Sequence, residues 1–417
     1  MKRILSLALA LALVLTLPGC GTAAADYTVL TADPVAITYD GSTEPAQTSL
    51  AGFGLDLLRG TRDQTGEPAL VSPLSAALAL SMAANGADGD TLEQFEAVLS
   101  GGAGLDMLNA LCQELTAAYE DLGGSTECSI ANSLWVDPDG MIREDFIGKC
   151  LGIFDAQVIQ SQLSDQAIVP ALNGWVSDHT REMIPEIIRE PFSENAAALL
   201  VNALYLKNIW ETGFEAEQTI ERNFTHEGGA VDRIDFLRHF DERFPYLETG
   251  DAQGAILPYD DGRLAFFALM PEKGSDFTSW LAELDGAALA QLIRDSREQE
   301  DYFDRLSLPK FEAEWKGELK DVLTAMGLEL AFDSTGRADF SLLGDNPDGY
   351  FLSQVIHATK IQVDEEGTEA AAASVTVVLG GSAAPVARHI ELDFNRPFLY
   401  GIVDLESGVP LFLGTFV

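Results

Sequence analysis

The sequence of 417 residues predicts an α+β fold, and three stretches carry the prediction. Ala196 to Trp210 is almost continuously apolar, the pattern of a strand covered on both faces, and Asn202 in its middle is a buried amide in need of hydrogen-bond partners. Ala76 to Asn85 is apolar all round, so it reads as a helix without a polar face, which has to be buried. Lys360 to Val363 alternates as a strand does and then runs through Asp364-Glu365-Glu366-Gly367, expected to be a solvated bend with a glycine pivot, into more strand-like chain. There Thr368, Ala370, Ala372, Ser374, Thr376 and Val378 share one face, while Glu369, Ala371, Ala373, Val375, Val377 and Leu379 share the other. Every residue of the first face is small or β-branched, and from Thr368 to Ala384 there is no proline and a single charge, Glu369. Such a segment suits either an exposed loop or a strand added to a sheet.

The chain begins with a processing signal. Lys2 and Arg3 precede an apolar run from Ile4 to Leu17, too short to span a bilayer comfortably, and Leu17-Pro18-Gly19-Cys20 resembles a bacterial lipoprotein box in which Cys20 is lipidated. Residues 1–20 are therefore expected to be a signal peptide and 21–45, small, polar and proline-containing, a flexible tether. Residues 46–417 contain no break rich in proline or glycine and read as one domain. Lys+Arg 25 against Asp+Glu 66 leaves a net charge of −41, which excludes nucleic acid and anionic lipid as partners of the domain and favours cationic ones. Cys112, Cys128 and Cys150 have no metal-like spacing, so neither a disulfide framework nor a zinc site is expected, although one pair could oxidise outside the cell.

In chain order, helices are expected at Leu50–Arg59, from Pro73 to Asn85, at Thr91–Leu99, Met107–Leu122, Arg143–Leu151, Ala171–Ile184, Phe277–Leu292 and Glu318–Gly327. Strands are expected at Ser129–Val136, Ala196–Trp210, Gly254–Tyr259, Leu264–Pro271, Arg305–Phe311 and Leu411–Val417, with polar loops at Thr61–Glu67 and Ala338–Ser341 and a turn at Asp137–Gly140. Pro73 suits a first helical turn, and Ser72 and Ser75 beside it would be buried polar groups.

The block Glu365-Glu366-Gly367-Thr368-Glu369-Ala370-Ala371-Ala372-Ala373-Ser374 resembles the hinge of the serpins, and the elements from about Ser49 to Val417 follow that family's order. The resemblance implies three β-sheets, eight to nine helices and an exposed reactive-centre loop at about 364–390. It implies that Ser72, Ser75, Asn202 and His357 form a polar cluster, the shutter, where the central sheet parts, and that Trp210 marks the top of the sheet, where the loop enters. Ala171–Ile184 would be the helix that crosses the sheet face.

No GxSxG, HExxH, P-loop, GxGxxG or CxxC pattern is present, and His179, His226, His239, His357 and His389 lack ligand spacing. No catalytic residue, metal or cofactor is therefore expected. The resemblance instead implies a secreted or cell-surface monomer that inhibits a serine protease as a suicide substrate. The protease cuts the loop, forms a covalent acyl-enzyme and is carried across the sheet as the loop inserts from Thr368 onward. Counting fourteen residues from the hinge glycine puts the cut bond at Gly381-Ser382, in a window of small residues to Ala383 and Ala384 that suits elastase- or subtilisin-like targets; counting back from Phe394 gives Ala383 or Val386. The alternative is a non-inhibitory binding or scaffold lipoprotein of the same fold, a class that carries bulky or charged residues or proline in the hinge.

Overall fold

Ser72 starts the helix over which the rest of the chain is laid. Its hydroxyl accepts from the Ser75 N–H at 3.3 Å and Pro73 occupies the first turn, so helix α2 (Pro73–Ala84) is capped from its own sequence, and every residue in it is buried. Helix α1 (Glu44–Thr65) packs against it. The polar residues Thr61 to Thr65, expected as a loop, are instead its last turns: Thr61 faces the core, Arg62 packs over the Phe277 ring and bonds Thr278, Asp63 is exposed, and Gly66 ends the helix at φ 69°. In a computed structural model the chain is described at residues 27–120, 122–194, 196–299, 301–347, 349–368 and 389–417.

The central sheet has seven strands: β1 (Tyr27–Leu30), β2 (Glu127–Val136), β3 (Gln157–Ser161), β4 (Ala198–Ile209), β5 (Phe311–Glu318), β6 (Leu352–Val363) and β7 (Gly367–Thr368), in the order β1-β3-β2-β4-β7-β6-β5. β4 is the apolar run of the sequence, and it pairs along its length with β2, from Ala198↔Val136 to Lys207↔Glu127. On its other side β6 runs parallel to it only from Leu352↔Ala198 to Ala358↔Ala203. Above that level the two strands part, and β7 lies between them, antiparallel to both.

A six-stranded sheet (Leu70–Val71, Tyr246–Glu248, Ala252–Pro258, Leu264–Pro271, Phe398–Asp404, Pro410–Phe416) and a five-stranded sheet built on Asp301–Pro309 complete the expected three, and a two-stranded ladder joins Met141–Ile142 to Gly344–Asp345. Nine α-helices lie among the described residues. Apolar side chains fill both faces of the central sheet. One cluster holds α2 and the six-stranded sheet; the other packs Trp135, Leu199 and Val201 against Leu172 and Val176 of helix α3 (Ile168–His179). Helix α3 crosses the sheet as expected but stops at Thr180, whose hydroxyl donates to the Val176 carbonyl at 2.8 Å and accepts from the Ile184 N–H at 3.1 Å.

Three further expectations are corrected. Phe277–Leu292 is two helices, Phe277–Glu283 and Gly286–Asp295, because Asp285 caps the second by accepting from the Ala288 N–H at 2.8 Å. The run Arg305–Phe311 is divided at Lys310: Pro309 ends a strand of the five-stranded sheet and Phe311 begins β5 of the central one. The segment expected to be a tether, 21–45, is docked from Tyr27 onward. β1 adds an edge to the central sheet from Tyr27↔Ser161 to Leu30↔Val158, the Val35 N–H donates to the Gly148 carbonyl at 2.8 Å, and Gln113 bonds Ile37 through both N–H and carbonyl. The four-residue alternation Tyr27-Thr28-Val29-Leu30 was hidden by the small and polar chain around it.

Candidate functional site: the top of the central sheet and the polar cluster below

The bend before β7 is fixed by its own first residue. Asp364 Oδ1 accepts from the N–H groups of Glu366 at 2.9 Å and Gly367 at 3.2 Å, an Asx turn, and the Asp364 N–H returns to the Gly367 carbonyl at 3.1 Å. Trp210 then binds the bend from outside, its backbone N–H on the Glu366 carbonyl at 3.0 Å and its indole N–H on the Asp364 carbonyl at 2.9 Å. Glu365 accepts from Thr219 at 2.8 Å and from the Lys310 ammonium at 2.5 Å. Burial pushes the Glu365 carboxyl up, but the hydrogen bonds from Lys310 and Thr219 hold it below its ordinary value.

This bend is not the solvated pivot expected of it. Gly367 is buried, and it is glycine because a Cβ there would lie 2.0 Å from the Asn208 carbonyl oxygen, not because its φ demands one. Thr368, expected to be exposed until the loop is cut, is 2% exposed. It points inward, as its parity predicts, and shares a hydrogen bond with the hydroxyl of Tyr259. Tyr259 is fully buried and stacks on Trp210, with centroids 4.8 Å apart and planes at 6°; burial pushes its phenol well above the ordinary range, so it stays neutral. Sequence reasoning missed Tyr259, Lys310 and Thr219, since nothing local marks them as neighbours of the hinge.

Below the hinge lies the polar cluster. The Ser72 N–H donates to His357 Nε2 at 3.0 Å and the Ser72 hydroxyl to the Leu411 carbonyl at 2.7 Å. His357 is 1% exposed, and burial lowers its pKa to about 4, so it is a neutral ring. Asn202 sits opposite His357 in the β4–β6 ladder, but its amide donates to Asn132 of β2 and not to the serines. Asn132 was missed, although an amide in the apolar run Ile130–Val136 carries the same signal as Asn202. Asn202 Oδ1 and Ser75 Oγ, both buried, have no partner among the described residues.

Cys112, Cys128 and Cys150 are free, and burial pushes the thiols of Cys112 and Cys128 up to about 12 and that of Cys150 higher, so none is a nucleophile near neutrality. Among the described residues no cluster of His, Cys, Asp or Glu could hold a metal ion, and no helix is long and apolar enough to cross a membrane. Cys20, the hinge residues Glu369, Ala370, Ala371, Ala372, Ala373 and Ser374, and the window Gly381, Ser382, Ala383 and Ala384 lie outside the described residues.

The arrangement is a sheet whose two middle strands are held together at the base and wedged apart at the top by the start of a long connecting segment. The family model described as Serpin (serine protease inhibitor) matches residues 48–417. An uncharacterized serpin-like protein of Thermococcus kodakarensis is 28% identical over 93% of this chain and 89% of its own length, and Serpin-Z2A of Triticum aestivum is 31% identical over 87% and 93%. The native state of the thermophilic serpin tengpin is 31% identical and superposes with a TM-score of 0.82, covering 93% of this chain and 97% of tengpin; its latent state gives 0.74, covering 91% and 99%. Thyroxine-binding globulin in complex with thyroxine, 22% identical over 88% of this chain and 98% of its own, superposes at 0.76, a likeness of fold alone. On the match of the family model to nearly the whole domain, the chain belongs to the serpin family.

Proposed function

We propose that the protein inhibits serine proteases by insertion of its cut loop, and the observation that carries this reading is the slot between β4 and β6. Near the upper end of the β4–β6 ladder Asn202 lies opposite His357; at the top of the slot Thr368 lies opposite both Asn208 and Val363. The two walls therefore advance by the same six residues, without slip, and a strand of constant register fits between them. Among the described residues nothing pairs with Leu204–Lys207 of β4 on that side, and the residues that follow Thr368 on its face are all small or β-branched.

Attack of the protease serine on the carbonyl of Gly381 forms the ester and expels the amine of Ser382, which takes its proton from the protease's own general acid. Continuing the register of β7 down the slot brings Val378 level with Ala198, the first residue of β4. Ten residues at about 3.3 Å carry the chain roughly 33 Å, and Gly381 leaves at the base, which favours the forward count for the bond over Val386. The ester is trapped if the protease, pressed against that base, loses its oxyanion geometry before water attacks. Small residues at the bond suit elastase- or subtilisin-like targets, and the net charge of −41 favours capture of a cationic one. Lipidation of Cys20 would display this inhibitor on the cell surface as a monomer; without it the protein is secreted.

Incubation with a panel of such proteases is expected to give a complex that survives denaturing electrophoresis, with a released peptide starting at Ser382. A cut after Arg388 that still yields a stable complex would overturn the assignment of the bond. The scaffold reading predicts that nicking by an untrapped protease leaves the melting temperature unchanged, whereas insertion predicts a sharp rise.

A further inference from the structure

Helix α3 ends level with the upper part of β4, and the chain returns toward the start of that strand through a strap, 180–194. Arg181 and Glu182 open the strap at φ 49° and 65°, side by side in the left-handed region, with neither glycine nor asparagine to ease it. Neighbouring bonds impose the turn: the Glu182 N–H donates to the Ser177 carbonyl at 2.8 Å and the Met183 N–H to that of Thr180 at 2.9 Å. Farther along, Asn173 Oδ1 accepts from the N–H groups of Ile187 at 2.8 Å and Ile188 at 3.0 Å, and its amide donates to the Ile188 carbonyl at 2.8 Å. Of residues 181–194 only Ile184 is fully buried, so the strap has little packing of its own to hold the strained turn.

What opposes the strain is a contact with the upper sheet. The Arg181 guanidinium pairs with Glu127 Oε2 and lies 5.2 Å over the Tyr205 ring, and Glu127 Oε1 is 3.6 Å from Lys207, its ladder partner in β4. One side chain thereby fastens the strap to both β2 and β4, at the level where, among the described residues, β4 has no partner on the slot side. Ile184 and helix α3 pack on a cluster that runs from Leu199 and Val201 of β4 to Ala358 of β6, so strap and helix roof the slot on the face away from α2. We propose that Arg181 is a latch: it holds a strained strap closed over the slot, and its release lets the strap open without the rest of the fold. The consequence for trapping rests on the insertion reading, because a strand entering the slot passes under that roof; the latch itself does not.

Hydrogen exchange at the Ile184, Ile187 and Ile188 amides, bonded to Thr180 and Asn173, reads the strap, and exchange in the β2–β4 ladder is the control. Arg181→Ala should quicken the three amides about tenfold, the combined worth of an exposed ion pair and a cation–π contact, and leave the ladder unchanged. High salt should quicken the same amides in the wild type and add little to Arg181→Ala, and Glu127→Ala should add nothing to Arg181→Ala. Glu182→Gly, which keeps the latch and relieves a left-handed residue, should slow them about threefold. The ratio of complex to cleaved inhibitor should rise for Arg181→Ala and fall for Glu182→Gly; a ratio that moves in neither would overturn the consequence for trapping. A wild type that forms no complex refutes insertion and leaves the latch to be judged by exchange. Strap amides that keep the wild-type rate in Arg181→Ala, or quicken together with the ladder, would overturn the latch, and faster exchange in Glu182→Gly would overturn the strain.

Discussion

Thr368→Arg tests the hinge at the atom on which it rests. Thr368 is 2% exposed, bonded to Tyr259 and paired on both edges, and Gly367 before it leaves no room for a Cβ against the Asn208 carbonyl. A guanidinium there would be buried without a carboxylate, at a cost of about 3–5 kcal/mol. Expelling β7 from the sheet costs less, the net value of the Thr–Tyr hydrogen bond being about 1 kcal/mol and the two ladder positions a similar amount each. The intact variant should therefore fold with its hinge displaced and its melting temperature lowered by no more than about 4 °C. Insertion after cutting has no such escape, and about 3–5 kcal/mol on that step slows it roughly 10²- to 5 × 10³-fold, enough for water to release the protease first. The assay is the ratio of complex to cleaved inhibitor on denaturing gels, with Glu369→Arg, of opposite parity, as the control. Trapping by Thr368→Arg at the wild-type ratio would refute the inward facing of Thr368 and the claim that its burial is part of insertion.

Three further outcomes follow from the same geometry. Lys310→Ala removes one clamp on Glu365, and since Lys310 is more than a third exposed the pair is worth at most about 1 kcal/mol; hydrogen exchange at Glu366 and Gly367 should quicken while global stability barely moves. Because the folded-state pKa of Glu365 is depressed, the clamp is fully present above its unfolded value and is lost as pH falls through the folded one, so acid should loosen the same amides in the wild type and not in Lys310→Ala. His239 and His357 are lowered to about 4 by burial, so they stay neutral in the fold while the unfolded chain takes up protons below about 6.5; stability is full above that pH and falls between about 6.5 and 4, by on the order of 3 kcal/mol per histidine, and His357→Gln should flatten a denaturation-against-pH curve over that window.

What the sequence made legible was whatever has a period or a lone exception to one. The buried strand at Ala198–Ile209, the faceless helix from Pro73, the inward parity of Thr368 and the burial of Asn202 all follow from alternation or its absence, and all are in place, while the burial of His357 was implied by the family resemblance alone. The resting position of the hinge was not legible, because whether Gly367 and Thr368 enter the sheet depends on Tyr259, Trp210 and Lys310, more than fifty residues distant in the chain. The partner of Asn202 was misassigned for a related reason: composition says that an amide needs a partner, while only register puts Asn132 opposite it.

The direction of β1 bears on how a lipid-anchored form would work. Tyr27 pairs with Ser161, just past the Val136↔Gln160 pair, and Val136 is level with Ala198; the chain thus enters at the base of the sheet, the end to which insertion carries the protease. From Cys20 to Tyr27 the backbone reaches at most about 25 Å, less than the width of a protease of ordinary size. A lipid on Cys20 and a trapped protease would then compete for one pole, and the final step on a membrane requires β1 to leave β3 and so free chain as far as Val35, where the N–H holds the Gly148 carbonyl. Twenty glycine and serine residues inserted before Tyr27 should accordingly raise the fraction of protease trapped by vesicle-anchored protein and leave unchanged the fraction trapped by a soluble form beginning at Gly21. An insertion that improves neither form, or both alike, means that the anchor does not obstruct the base, and β1 then serves the sheet edge alone.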